Sequence, residues 1–165
     1  MKTTKRLLAM MFVAVAMMMA ACEKDDDKPQ TRSISLAGTT WESTVNSTAT
    51  QQGIEMLVNL NWTFDFNTDV AAEAFLEMQI EVPAYPQANQ NQNETFPLNY
   101  KFDGKQCTIY FVDEETGEVL EEDSSVMRFD SRDTTFYLGV DDAEMEQLLG
   151  VDTLVFHLTR GTLTL

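Results

Sequence analysis

From Ser33 onward, apolar and polar residues follow one another with a period of two. The clearest run is Ile54, Met56, Val58, Leu60, Trp62, Phe64 and Phe66, with Glu55, Asn59, Asn61, Thr63 and Asp65 in the opposite phase and Leu57 the exception. Such alternation marks a strand with one buried and one wet face. A second run sets Ala72, Ala74, Leu76, Met78, Ile80 and Val82 against Glu73, Glu77, Gln79 and Glu81, with Phe75 out of phase. A helix here would carry glutamates into its apolar stripe, so a strand is predicted despite the helix-favouring Val70–Ala74 start. Phe96, Leu98, Tyr100 and Phe102 lead into Asp103-Gly104, a pair suited to the positive φ values of a tight hairpin. Cys107, Ile109 and Phe111 return from it.

A second turn is expected at Thr116-Gly117, with Val119 and Leu120 extending the pairing. Ser125, Met127 and Phe129 form the next run, Asp130 to Asp133 turn it, and Phe136, Leu138 and Val140 follow. The last strand, Leu154, Phe156 and Leu158, ends at Arg160, and an opening strand covers Thr39 to Ser47. One short helix precedes that last strand: Asp141 caps it, Met145, Leu148 and Leu149 form its stripe, and Gly150 stops it. About eight strands joined mainly by short turns, with so little helix to cover them, predict an all-β fold. A sheet of that length hides its apolar side by curling shut, so an eight-stranded up-and-down antiparallel barrel is expected. The Gln/Asn-rich stretch from Pro83 to Thr95 reads as a long connection, with mobility weighed ahead of a contact role for Tyr85.

The first 22 residues have another character. A basic start with Lys2, Lys5 and Arg6 precedes an unbroken apolar run from Leu7 to Met19, then Ala20, Ala21 and Cys22. This is a secretory leader, too short to span a bilayer comfortably. Met19-Ala20-Ala21-Cys22 resembles the lipobox of bacterial lipoproteins, which implies cleavage before Cys22 and attachment of palmitate-type acyl chains to it. The expected organisation is a signal peptide over 1–21, an acidic flexible tether over 22–32 and a folded domain over 33–165. The acidic cluster Asp25-Asp26-Asp27 behind the anchor resembles the surface-export signal of some Gram-negative lipoproteins, implying an outer-membrane, outward-facing protein.

Composition sharpens this. The chain of 165 residues carries 27 acids and 11 bases, a formal charge of −16. Loss of the three leader bases leaves 27 acids against 8 bases, or −19. Such a surface repels phosphate backbones, which argues against a nucleic-acid partner. With Cys22 acylated, Cys107 has no partner for an intramolecular disulfide, so the core must hold the fold. The expected membrane contact is the anchor, and a monomer is expected.

The opening Leu36-Ala37-Gly38-Thr39-Thr40-Trp41 resembles the first-strand signature of lipocalins and of bacterial lipocalin-like lipoproteins, although the family places one residue between glycine and tryptophan and this chain places two. The resemblance implies a lipocalin-like barrel whose closed end is plugged by Trp41. Arg160, at the end of the final strand, matches the family's basic residue and implies a guanidinium stacked on the indole, worth about 0.5 to 2 kcal/mol. The helix before the last strand departs from lipocalins, which place theirs after it.

The search for catalytic chemistry is mostly negative. The single histidine, His157, lies out of phase with Leu154, Phe156 and Leu158 and is expected to face water. No nucleophile elbow, zinc helix, Cys-x-x-Cys pair or phosphate loop occurs. No catalytic residue, metal site or cofactor is predicted, and the chain is not expected to be an enzyme. Cys107 shares the phase of Ile109 and Phe111 and reads as a core residue. The acidic stretch Asp113 to Asp123 fails the EF-hand spacing and reads as a solvated hairpin tip.

What remains is the barrel interior. Leu60, Trp62, Phe64, Met78, Ile80, Tyr100, Phe102, Ile109, Phe111, Met127, Phe129, Phe136 and Phe156 are the inward set and the ligand-lining candidates. Eight strands enclose space for their own side chains or for one small ligand. The expected function is therefore non-catalytic binding of a small apolar or amphipathic molecule by an envelope lipoprotein. The alternative is a structural or accessory envelope lipoprotein with a filled barrel that contacts other surface proteins or glycans.

Overall fold

The computed structural model describes residues 34–163, and the expected signal peptide, Cys22 and the tether lie outside them. The chain forms eight strands, β1 (Thr39–Gln51), β2 (Ile54–Phe66), β3 (Ala71–Glu81), β4 (Gln90–Phe102), β5 (Gln106–Val112), β6 (Val119–Asp130), β7 (Thr135–Gly139) and β8 (Thr153–Arg160). Helix α1 (Ala143–Leu149) stands between β7 and β8. Each strand pairs antiparallel with its sequence neighbours, and β8 returns to β1 to close the barrel. An eight-stranded antiparallel barrel with one short helix before its last strand is thus the architecture that the alternation predicts.

Register follows from burial. Trp41, Val45 and Ala49 of β1 lie opposite Phe64, Leu60 and Met56 of β2, and Leu60 and Trp62 lie opposite Met78 and Leu76 of β3. A slip by one residue would turn every one of these side chains outward. The turns are fixed by side-chain acceptors. Asp103 Oδ1 accepts from the backbone N–H of Lys105 at 2.8 Å and of Gln106 at 2.7 Å, and Gly104 supplies φ +91°. Those backbone hydrogen bonds hold the Asp103 carboxyl below its usual pKa.

Two details depart from the sequence reading. The helix is capped by Asp142, one residue after the expected Asp141: its extended backbone lets the carboxylate accept from Glu144 N and Met145 N, both at 2.9 Å. The Gln/Asn-rich stretch is strand in its second part, from Gln90 onward. After Val82 and a single 3-10 turn at Pro86–Ala88, β4 begins at Gln90 and pairs with β3 from Ile80↔Gln90 onward. Polar residues in both phases had hidden this strand, because backbone pairing with β3 needs no alternation.

The floor of the barrel is built from Leu36, Trp41 and the rings around them. Trp41 is fully buried and donates from Nε1 to Thr39 Oγ1 at 2.9 Å, while the Thr39 hydroxyl donates to the Leu36 carbonyl at 2.5 Å. One indole N–H is thereby satisfied inside the core without water. The chain leaves the barrel beside this point through Gly161, at φ +90°. A Cβ there would overlap the Gly38 carbonyl oxygen and lie 3.0 Å from Thr39 Cα.

Two variants grade these features. Asp142→Ala should cost about 1 kcal/mol by removing the cap. Gly161→Ala should cost more, since it meets both a left-handed backbone and a steric overlap. Chemical denaturation of both should return that order.

Candidate functional site

All thirteen inward candidates occupy the inner face, and they divide by height. Toward the floor, Phe136 packs on Trp41 with ring centroids 4.6 Å apart, on Phe129 at 5.0 Å and on Phe102 at 5.8 Å. Phe64 meets Phe156 at 5.0 Å, Trp62 stacks on Phe64 at 5.5 Å, and Phe66 meets Tyr100 at 4.7 Å. Leu60, Ile109 and Met127 are buried among the same residues. Edge-to-face and tilted pairs of this kind add about 0.5 to 1.5 kcal/mol each beyond their area. Here the interior is a packed core.

Toward the opposite end the inner face is less covered. Met78, Ile80, Phe96 and Phe111 pack on the core yet remain half-buried, and the Phe96 and Phe111 rings meet edge to face at 5.9 Å. Gln92 and Glu94 lie in the same inward phase, opposite Met78 and Leu76. Gln92 Nε2 donates to Glu94 Oε1 at 3.5 Å, near the limit for a hydrogen bond. These two residues were missed in the sequence because they belong to the polar stretch that masks the start of β4. The mouth is thus an apolar lip with one amide–carboxylate pair.

The expected barrel-closing residues stand as follows. Trp41 has Phe129 and Phe136 as ring partners, while Arg160 is exposed and falls in register with Thr40 at a bulge. The described cation–π contacts are Lys101 over Tyr110 at 5.2 Å and Arg128 over Tyr137 at 4.8 Å. His157 faces outward and is exposed. Among the described residues, no cluster of three or more His, Cys, Asp or Glu is placed to hold a metal ion.

Helix α1 closes part of the mouth. Met145 and Leu149 are buried, and the Ser47 hydroxyl donates to the Leu148 carbonyl at 2.7 Å. This contact matters because β8 pairs with β1 at Thr40↔Arg160, Trp41↔Leu158 and Glu42↔His157, all near the floor. Above them α1, packed on β1, stands where the ladder stops.

On the acidic hairpin, Asp113 Oδ1 accepts from Glu115 N at 3.0 Å and Thr116 N at 2.7 Å, and Gly117 takes φ +72°. Val112↔Val119 and Phe111↔Leu120 extend the pairing as expected. The partner of Tyr110 is then Ser124, so Glu121 to Asp123 are looped out of the ladder as a bulge.

Clefts among the described residues open on the outside of the wall. One of about 360 Å³ lies over β1–β3 beside Asn46, Leu57 and Gln79. Another, about 350 Å³, lies between β6 and β7, and a shallower depression of about 960 Å³ extends beside α1 and β8. Comparison of the chain with protein families, curated proteins and solved structures returns no match. The fold and these surfaces are the grounds for a functional reading.

Two core groups have shifted acidities. Burial, with a smaller contribution from the Asp103 charge, pushes the Cys107 thiol well above its ordinary pKa. In a chain whose other cysteine is replaced, Cys107 should therefore resist thiol reagents at pH 8 and react on unfolding. Burial, aided by Cys107 and Asp69, pushes the Tyr100 phenol up to about 12. Its hydroxyl donates to the Thr68 carbonyl at 2.7 Å. The folded state thus holds this proton more tightly than the unfolded chain, whose tyrosine titrates near 10. The stabilisation is complete below about pH 10 and is lost as pH rises toward 12. Ultraviolet titration should show a late-ionising component that is absent in Tyr100→Phe.

Proposed function

We propose that the chain is a lipocalin-like envelope lipoprotein, acylated at Cys22 and held at the outer membrane facing outward. Its barrel binds a small apolar or amphipathic ligand at the mouth, without catalysis. The observation that carries this reading is the difference between floor and mouth. Inward rings near the floor are sealed against one another, whereas inward apolar side chains near the mouth keep accessible surface. Concave, mostly apolar surface with a few polar groups is the usual setting for small-molecule recognition.

Met78, Ile80 and Phe111 then receive the apolar part of the ligand, and the Gln92–Glu94 pair receives its head. The head is neutral or cationic, since an anion would meet Glu94 and a surface of strongly negative charge. The other inward residues, from Leu60 to Phe156, support the mouth from below. The accessory reading is favoured by the same filled floor: with so much of the interior occupied, contacts with other surface molecules fall to the outside of the wall.

Two experiments test the parts separately. Cys22→Ala should abolish acyl labelling and membrane retention, and persistent labelling refutes the anchor. N-phenyl-1-naphthylamine, a neutral apolar fluorophore, should brighten on binding the folded chain, with affinity several-fold lower in Phe111→Ala. If neither the parent nor the variant enhances the probe, the mouth reading fails and the accessory reading stands.

A further inference from the structure

The barrel has two short seams, and one of them is uncovered. β6 and β7 pair at Arg128↔Tyr137, Phe129↔Phe136 and Asp130↔Thr135, all near the floor. Above Arg128, β6 continues paired with β5 from Met127 to Ser124 and, past the bulge at Glu121–Asp123, again at Leu120 and Val119, while β7 ends at Gly139. The β1–β8 opening at this height has α1 against it. No described element pairs with the facing edge of β6.

Strand alternation says which backbone groups face the gap. Phe129 N donates to the Lys105 carbonyl on the β5 side, so Met127 and Ser125 also turn toward β5. Arg128, Val126 and Ser124 turn their N–H and C=O groups the other way. On β7, Val140 N donates to the Asp152 carbonyl next to β8, which turns Gly139 and Tyr137 toward β6. The gap is therefore edged by backbone donors and acceptors of Ser124, Val126 and Gly139 that have no ladder partner. The 350 Å³ cleft occupies it, and Ser125, Leu138 and Asp141 contribute to its lining. Ser125 is 8% exposed. Val126, also in the lining, is 41% exposed.

We propose that this cleft is a docking site for an extended polypeptide segment bearing basic side chains, which adds to β6 as a further strand. Strand addition takes its affinity from backbone hydrogen bonds and its selectivity from the side chains beside the edge. Those side chains favour cations. Asp141 lines the cleft, and Glu121 and Glu122 stand exposed two to three residues further up β6. Arg128 marks the lower end, its guanidinium held over the Tyr137 ring. A second copy of the chain, itself at −16, is repelled by the same charges. The proposal is independent of a ligand at the mouth.

The test titrates the full chain with a peptide of four alternating Lys-Val repeats. Amide hydrogen exchange should slow at Ser124, Val126 and Gly139. N-methylation of alternate peptide amides should weaken binding at least tenfold, and a Glu-Val peptide should not bind. Val126→Pro, which removes an N–H facing the gap and leaves the β5 ladder intact, should weaken binding comparably. Glu121→Lys with Glu122→Lys should weaken it severalfold, and this pair decides the matter if the proline variant does not fold. Equal binding of the N-methylated or the Glu-Val peptide overturns the proposal, as does protection confined to other strands. Protection of the same amides by dimerisation of the chain alone overturns it in favour of self-association.

Discussion

Closure of the sheet on itself is the constraint from which the rest of this molecule follows. The strands alternate so regularly that each presents an apolar face, and α1 is far too small to cover eight of them. Bending the sheet until β8 reaches β1 turns all those faces toward one axis. That contact is made at a crowded point. Trp41 enters the axis there, its indole N–H is satisfied through Thr39, and Gly161 passes the Gly38 backbone at a distance no side chain tolerates. The rings of Phe129 and Phe136 then build upward from the indole.

Closure does not extend evenly around the wall. β2, β3 and β4 are long and pair along most of their length, which gives one tall side whose inner surface stays partly accessible. β7 has five residues, and the ladders on either side of the β7–β8 hairpin are short. The same inequality produces the apolar lip at the mouth, the need for α1 against β1, and the unfilled cleft beside β6. Accessible surfaces in the wall arise here from unequal ladders.

Much of this was legible in the sequence. Runs such as Ile54 to Phe66 announced strand and buried face together, and Asp103-Gly104 and Gly150 marked their turns. What escaped notice had a physical reason in each case. Gln90 to Glu94 carry no alternation, because near the mouth both faces of the strand tolerate polar groups, so the beginning of β4 looked like loop. Asp141 and Asp142 offer the same carboxylate one residue apart, and backbone geometry alone chose the second. The cleft between β6 and β7 is a property of pairing between strands, and the runs Ser125 to Phe129 and Phe136 to Val140, equal in length, gave no sign of it. The proposed anchor at Cys22 rests on the leader sequence alone and lies outside the described residues.

The short ladders flanking β7, α1 and β8 have a mechanical consequence. Residues 135–160 form a panel hung between two narrow hinges, whereas the six preceding strands make a continuous meander of local pairings. The meander is held by ladders between neighbouring strands, whereas the panel depends on two short ladders and on packing such as Phe136 against Trp41. Along those two lines the wall has its fewest ladder pairings, three at each, and so its least resistance to being parted.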